Sequence, residues 1–229
     1  LPFFSLFLFY NIIFLKEKSL NFFAEDIYLF IYLLILIAIF FIFFNFDYNF
    51  STIFFSLVSS MSNIGISFNS SPSNFWFLFL IITIIGGSFF STSSGIRFIK
   101  IYFLFRYSLN EILSYSRPNN VYTNKFHLID SNIEQKDINK YFLSVLIFVL
   151  SLFLFTSLLS MFNITFEESF KLSILTLMNT VNSSMHDLNN FDFLELNSYS
   201  KLIMIVFMII GRVELLTILI IIKKFIFKT

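Results

Sequence analysis

Residues 27–44, IYLFIYLLILIAIFFIFF, run for eighteen positions without a charge, a glycine or a proline. As a helix this run covers about 27 Å, close to the ~30 Å hydrocarbon core of a bilayer. Backbone in lipid must satisfy its own hydrogen bonds, so a lipid-bound run outside a closed barrel has to be helical. A second run occupies 141–162 (YFLSVLIFVLSLFLFTSLLSMF), and a third occupies 202–222 (LIMIVFMIIGRVELLTILIII) with two charges inside it. Residues 75–105 form a fourth apolar stretch, too long for one straight crossing. With 57% hydrophobic and 13% charged residues, the chain reads as an all-α integral membrane protein, multi-pass in the cytoplasmic membrane. It has no basic run that would hold a phosphate backbone, so nucleic acid is not a partner; the lipid bilayer is. Zero cysteines exclude disulfides and thiolate metal sites.

The first residues, LPFFSLFLFYNIIFL (1–15), read as the end of a preceding transmembrane helix. No basic residues precede their apolar core and no small-residue cleavage site follows, so the chain is expected to be part of a longer protein. The 38 phenylalanines are read as lipid-facing filler rather than a cofactor-binding cluster. Against that background the five glycines carry information: Gly65, Gly86, Gly87, Gly95 and Gly211, none of them in an ordinary loop. Glycine serves where backbone turns to positive φ or is approached closely.

Two shorter segments, FSTIFFSLVSSM (50–61) and FEESFKLSILTLM (166–178), cover about 18 Å each as helices, little more than half the membrane core. Polar, non-helical sequence follows each: SNIGISFNSSPSN and NTVNSSMHDLNN. A half-span helix followed by extended polar backbone is the pattern of a re-entrant pore loop, tolerated only where protein or a water path satisfies it. The order span, half-helix, loop, span occurs twice, over 27–105 and 141–222, with a connector at 106–140 and a tail at 223–229. Ile27 and Tyr141 lie 114 positions apart, Gly65 and Asn182 117. An internal repeat of this kind encloses something between two modules; the alternative is two unrelated hairpins with amphipathic connectors.

Charge orients the chain. Arg97, Lys100, Arg106, Arg117, Lys125, Lys136 and Lys140 crowd the stretch 97–140, and Lys223, Lys224 and Lys228 end the chain. Residues 183–198 hold Asp187, Asp192 and Glu195 with no lysine or arginine. The positive-inside rule places connector and C-terminus in the cytoplasm and brings both loops in from outside. Glu167 and Glu168 suit the N-terminal dipole of the second half-helix and could also attract cations.

A cation crossing lipid must exchange its water shell for other oxygens, which backbone carbonyls supply if successive residues aim them to one side. SNIG at 62–65 fits, after a helix whose partially negative C-terminus would face the ion. In GGSFFSTSSG (86–95), glycines and hydroxyls let the chain unwind within the membrane. Arg212 and Glu214 lie inside a span, where charge is expensive and points to function or to an ion pair fixing helix packing. Two positions apart is about 200° of helix, so they face nearly opposite ways. His186 and Asp187 suggest a metal or acid–base pair, but with two histidines and no carboxylate cluster a loop role is favoured. His127 falls in the connector and is expected to be exposed.

Three motifs resemble the TrkH/KtrB/HKT family of potassium transporters, in which four pore-loop repeats in one polypeptide mimic a tetrameric channel. SNIGIS (62–67) resembles the third-repeat filter. GGSFFSTSSGIRFIK (86–100) resembles the GG-x-x-x-ST-x-GGIK signature of the third repeat's second helix. MIIGRVELLTILIII (208–222) resembles the fourth repeat's M-x-x-GR-x-E-x-x-T helix, and LPF at the start matches the end of the second repeat. The resemblance implies two M1–pore loop–M2 repeats, the third and fourth of four, plus an N-terminal helix tail. It implies filter carbonyls from Ser62, Asn63, Ile64 and Gly65 in one loop, and Asn179, Thr180, Val181 and Asn182 in the other. It implies a gate loop of Gly86, Gly87, Ser88, Ser91, Thr92, Ser93, Ser94 and Gly95, with Arg212 and Glu214 as associated charges, Arg212 contacting that loop. It further implies a homodimer and a cytoplasmic nucleotide-binding regulatory subunit of the TrkA/KtrA kind. Three departures stand out: Asn182 replaces a filter glycine, SSG replaces Ser/Thr-Gly-Gly, and Arg97 replaces the usual lysine.

The reading is therefore potassium uptake, with the ion as substrate, no cofactor and no enzymatic chemistry. A sodium-permissive or weakly selective transporter, or a non-conducting scaffold subunit with a degenerate filter, are the alternatives.

Overall fold

The computed structural model describes residues 4, 24–43, 49–66, 76–88, 91, 93–115, 135–180, 185–188, 191–194 and 196–212. Among them are seven helices: α1 Ala24–Phe43, α2 Phe50–Ser62, α3 Trp76–Ile84, α4 Phe98–Tyr115, α5 Gln135–Ser160, α6 Phe166–Leu177 and α7 Ser198–Arg212. The expected end helix at 1–15, apart from Phe4, and the tail at 223–229 lie outside the described residues. Helix α4 continues to Tyr115 and α5 starts at Gln135, so helix takes up both ends of the expected 106–140 connector.

Two helices, over Glu25–Ile42 and Ile138–Ser160, are long and apolar enough to cross a bilayer. Their packing is one-sided. On α1, Leu29, Leu33 and Phe40 are buried, while Phe30, Ile31, Leu34 and Ile35 are exposed. On α5 the buried set is Phe148, Leu152, Phe155 and Leu159, a repeat of four and three positions that makes one stripe. The opposite face, with Phe142, Leu146, Leu150 and Phe153, is exposed. Apolar faces of this extent are suited to lipid rather than water.

Helices α2 and α6 are short, at 13 and 12 residues, about 20 and 18 Å. Both are far more buried than the spans that flank them: from Ser169 to Leu177 only Phe170 is not fully buried. The start of α6 is set locally. Thr165 is its N-cap, taking the Glu168 amide on its hydroxyl oxygen at 3.3 Å and donating that hydroxyl to Glu168 Oε2 at 2.8 Å. Glu167 and Glu168 in the first turn complement the helix dipole.

The packing order repeats. Helix α1 packs on α2 and α2 on α3; α5 packs on α6 and α6 on α7. The contacts of α3 with α6 and of α4 with α5 join the two groups. Helix α3 is the shared wall: Phe79 and Ile82 belong to the core around Leu29, Leu57 and Met61, while Leu80 belongs to the core around Phe155, Leu172 and Leu175. Stacked rings tie the second group, Phe155 lying on Phe207 at 4.1 Å between centroids. A buried hydroxyl pair, Thr156 and Ser173 at 2.8 Å, links α5 to α6.

Helices α6 and α7 approach each other closely at Gly211. A Cβ built on Gly211 would stand 2.0 Å from the Leu177 carbonyl oxygen, so α7 can approach this closely only with glycine there. Gly211→Ala is therefore expected to push the two helices apart and cost about 1–3 kcal/mol, read as a lowered unfolding temperature of the detergent-purified protein. Ile209→Ala, on the exposed face of the same helix, should leave that temperature nearly unchanged.

Candidate functional site

The ends of α2 and α6 are built alike. After α2, Asn63 turns left-handed (φ 54°), its amide donating to the Ser60 carbonyl and the next amide, of Ile64, to the Ser59 carbonyl. After α6, Asn179 does the same (φ 55°), with its amide on Thr176 and the Thr180 amide on Leu175. This pairing of carbonyls three and five residues back is the hydrogen-bond pattern of a Schellman helix end, and asparagine is the side-chain-bearing residue that best tolerates its left-handed turn. Each asparagine also reaches sideways. Asn63 Nδ2 donates to the Ser94 carbonyl at 2.9 Å, and Asn179 Nδ2 donates to the Met208 carbonyl of α7 at 3.0 Å.

Ser62 is the last residue of α2, its hydroxyl turned back to the Val58 carbonyl at 2.6 Å. Beyond Asn63 the chain leaves without secondary structure through Ile64, Gly65 (φ 77°) and Ile66, both isoleucines exposed. On the other limb Thr180 is buried; Val181 and Asn182 lie outside the described residues. The two asparagines are 116 positions apart, and so are Gly95 and Gly211. A pair of helix C-termini releasing backbone in this way offers carbonyl oxygens and partial negative charge, which favour a cation.

Between α3 and α4 the helix is broken, and the break closes on itself. The Gly86 amide donates to the Ile96 carbonyl (2.8 Å), the Ile96 amide to Ile84 (3.1 Å) and the Phe98 amide to Gly87 (3.2 Å), around a parallel bridge of Ile85 with Ile96. Gly95 (φ 101°) could not carry a side chain without strain. Hydroxyls take up freed backbone: the Gly87 amide donates to Ser93 Oγ at 2.7 Å, and Ser93 Oγ meets Ser91 Oγ at 2.9 Å. Arg97 Nη1 reaches the Ser88 and Ser91 carbonyls at 3.2 and 3.3 Å. Among the described residues, the guanidinium hydrogen-bonded to this segment is that of Arg97. Arg212 is exposed at the end of α7 and makes no hydrogen bond to the segment among the described residues. Thr92 and Glu214 lie outside them.

Sequence reasoning missed one cluster. Lys171, in the middle of α6, is 2% exposed. Its Nζ pairs with Glu167 at 2.7 Å and Asp187 at 3.6 Å, donates to the Asp187 carbonyl, and lies 4.1 Å over the Trp76 ring. Removing such a partner would strand a buried charge. The cluster ties the segment after α6 to α3 and α6, behind the limb that starts at Asn179. The i,i+4 spacing of Glu167 and Lys171 was the only trace of it in the sequence.

His186 lies in the segment between α6 and α7, as expected of a loop residue, yet it is 1% exposed. Burial, and after it the charge of Lys171, push its pKa down to about 4, against an opposing hydrogen bond with the Trp76 backbone. The folded protein takes up no proton there until about pH 4, whereas the unfolded chain does so near 6.5. Stability contributed by the neutral ring is complete above about 6.5 and declines as pH falls toward 4. Thermal unfolding should accordingly drop more between about pH 7 and pH 5 in the native protein than in His186→Gln. Equal drops would place the ring in a solvated setting.

A search of curated proteins finds no match. Among solved structures, the crystal structure of the potassium transporter TrkH from Vibrio parahaemolyticus aligns over 89% of this chain with a TM-score of 0.73 at 22% identity. The match covers 44% of that transporter, so the chain spans less than half its length. Likeness at this identity establishes the helical fold. A family model described as TrkH, cation transport protein, matches residues 69–227, which include the broken segment, both ends of α6 and all of α7. That match takes in well over half of the sequence, and on it the chain belongs to the TrkH family of cation transport proteins.

Proposed function

We propose that the chain supplies two carbonyl-lined pore loops to a potassium-uptake pathway in the cytoplasmic membrane. The observation that carries this reading is the pair of half-span helices whose left-handed asparagines release the chain at equivalent points, each next to the second helix of its own unit. On this reading Ser62, Asn63, Ile64 and Gly65, with Asn179, Thr180, Val181 and Asn182, offer backbone oxygens that replace the water shell of the ion. The ion moves down its electrochemical gradient, and no bond is made or broken. The broken segment from Gly86 to Gly95 is the movable barrier under these limbs. Two further loops are supplied from outside this chain, the assembly is a homodimer, and a cytoplasmic nucleotide-binding subunit regulates it. The family membership and the likeness to a potassium transporter support the ion assigned.

Cells lacking potassium uptake and expressing the full protein should regain growth at low external potassium and take up rubidium. Normal membrane expression with neither growth nor rubidium uptake overturns the reading and leaves the non-conducting scaffold in its place.

Asn182, standing where the family pattern has a filter glycine, favours a second reading, a sodium-permissive pathway. Wherever a filter needs a left-handed turn that glycine would supply, asparagine costs on the order of 1–2 kcal/mol more, which weakens the preference for the one limb geometry fitted to potassium. Asn182→Gly should raise the potassium-over-sodium permeability ratio severalfold in flux measurements. An unchanged ratio places Asn182 away from the ion path.

A further inference from the structure

Ser94 sits where the broken segment meets both half-span helices. Its carbonyl oxygen accepts from Asn63 Nδ2 at 2.9 Å, at the left-handed residue that ends α2. Its hydroxyl donates to the carbonyl of Met178, the residue between α6 and the left-handed Asn179. These partners are 31 and 84 positions away in sequence and belong to different packing groups. Ser94 itself is 6% exposed.

The surroundings are shaped to admit it. A Cβ on Gly86 would stand 2.6 Å from the Ser94 carbonyl oxygen, and one on Gly95 would stand 3.0 Å from Met178 Sδ. The glycines on either side let the Ser94 peptide lie against both helix ends at once. A carbonyl at a helix C-terminus lacks its intrahelical donor, and out of water that donor must come from a side chain. The Ser94 hydroxyl fills this role for Met178. While that bond holds, the carbonyl directly before the second limb is fixed to the broken segment.

We propose that Ser94 is a positioning residue that pins the broken segment to both helix ends, so that the segment moves only when two hydrogen bonds to different halves of the fold break together. Its consequence for ion flux rests on the conduction reading above; the tether itself does not. Two bonds breaking in concert make a sharper threshold than either alone. They also make the position of the segment sensitive to the backbone of both limbs.

The test uses the full protein in detergent and in cells. Ser94→Ala deletes the hydroxyl and keeps the Cβ; Ser94→Thr restores a hydroxyl. Asn63→Asp removes the amide donor from the other side while keeping a residue that tolerates the left-handed turn. Amide hydrogen exchange at Gly86, Gly87 and Ile96 is expected to quicken about three- to tenfold in Ser94→Ala and in Asn63→Asp, the factor that one net hydrogen bond supports. Ser94→Thr should return toward the native rate, and resting rubidium uptake should rise in Ser94→Ala. Native exchange rates in both Ser94→Ala and Asn63→Asp overturn the tether. Faster exchange with unchanged rubidium uptake, in a protein that transports, overturns the coupling to flux. Faster exchange in a protein that transports no rubidium in any form supports the tether and overturns the conduction reading.

Discussion

Backbone amides and carbonyls away from water must find partners within the protein, and this constraint governs the places where the buried helices end or break. The chain leaves helical geometry after Ser62, after Ile84 and after Leu177. At each place polar side chains take up freed groups: Asn63 Nδ2 donates to the Ser94 carbonyl, the Gly87 amide to Ser93 Oγ, Arg97 to the Ser88 carbonyl, and the Ser94 hydroxyl to the Met178 carbonyl. The serines and asparagines among the phenylalanines are the donors that make the breaks possible.

The same constraint accounts for the small residues. Gly86 and Gly95 bring two strands of the broken segment close enough to pair as a bridge, and Gly211 brings α7 onto the end of α6. Packing in lipid gains little from apolar burial as such, since lipid is as apolar as the side chains. Close backbone approach and inter-helix hydrogen bonds, such as Thr156 with Ser173, carry more of the cohesion. Charge is admitted only with compensation: Lys171 is enclosed by two carboxylates and a tryptophan face, and the neutral His186 ring packs beside it.

A good part of the fold was legible in local pattern. The half-span lengths of 50–61 and 166–178 agree with α2 and α6 to within a residue, because a helix ends where a residue that can turn left-handed follows an apolar run. The break after Ile84 was marked by paired glycines. The further course of α4 to Tyr115 was not, since a polar, amphipathic extension reads as connector until it has a neighbour to pack on. At the candidate site, the residue types at both helix ends were visible. Their side-chain partners were not, nor was the hold of Arg97 on the Ser88 and Ser91 carbonyls.

The sequence by itself determined which stretches are long enough to cross a bilayer, which are too short, and where glycine and serine interrupt a helix. These follow from run length and from the backbone preferences of single residues, which act over a few positions. Only the tertiary structure decided that Ser94 meets both Asn63 and Met178, that Lys171 and His186 are buried beside Trp76, and that Gly211 touches the carbonyl of Leu177. Those contacts join residues that lie 31 to 110 positions apart in the chain. Their existence depends on how whole helices pack, which no local pattern encodes.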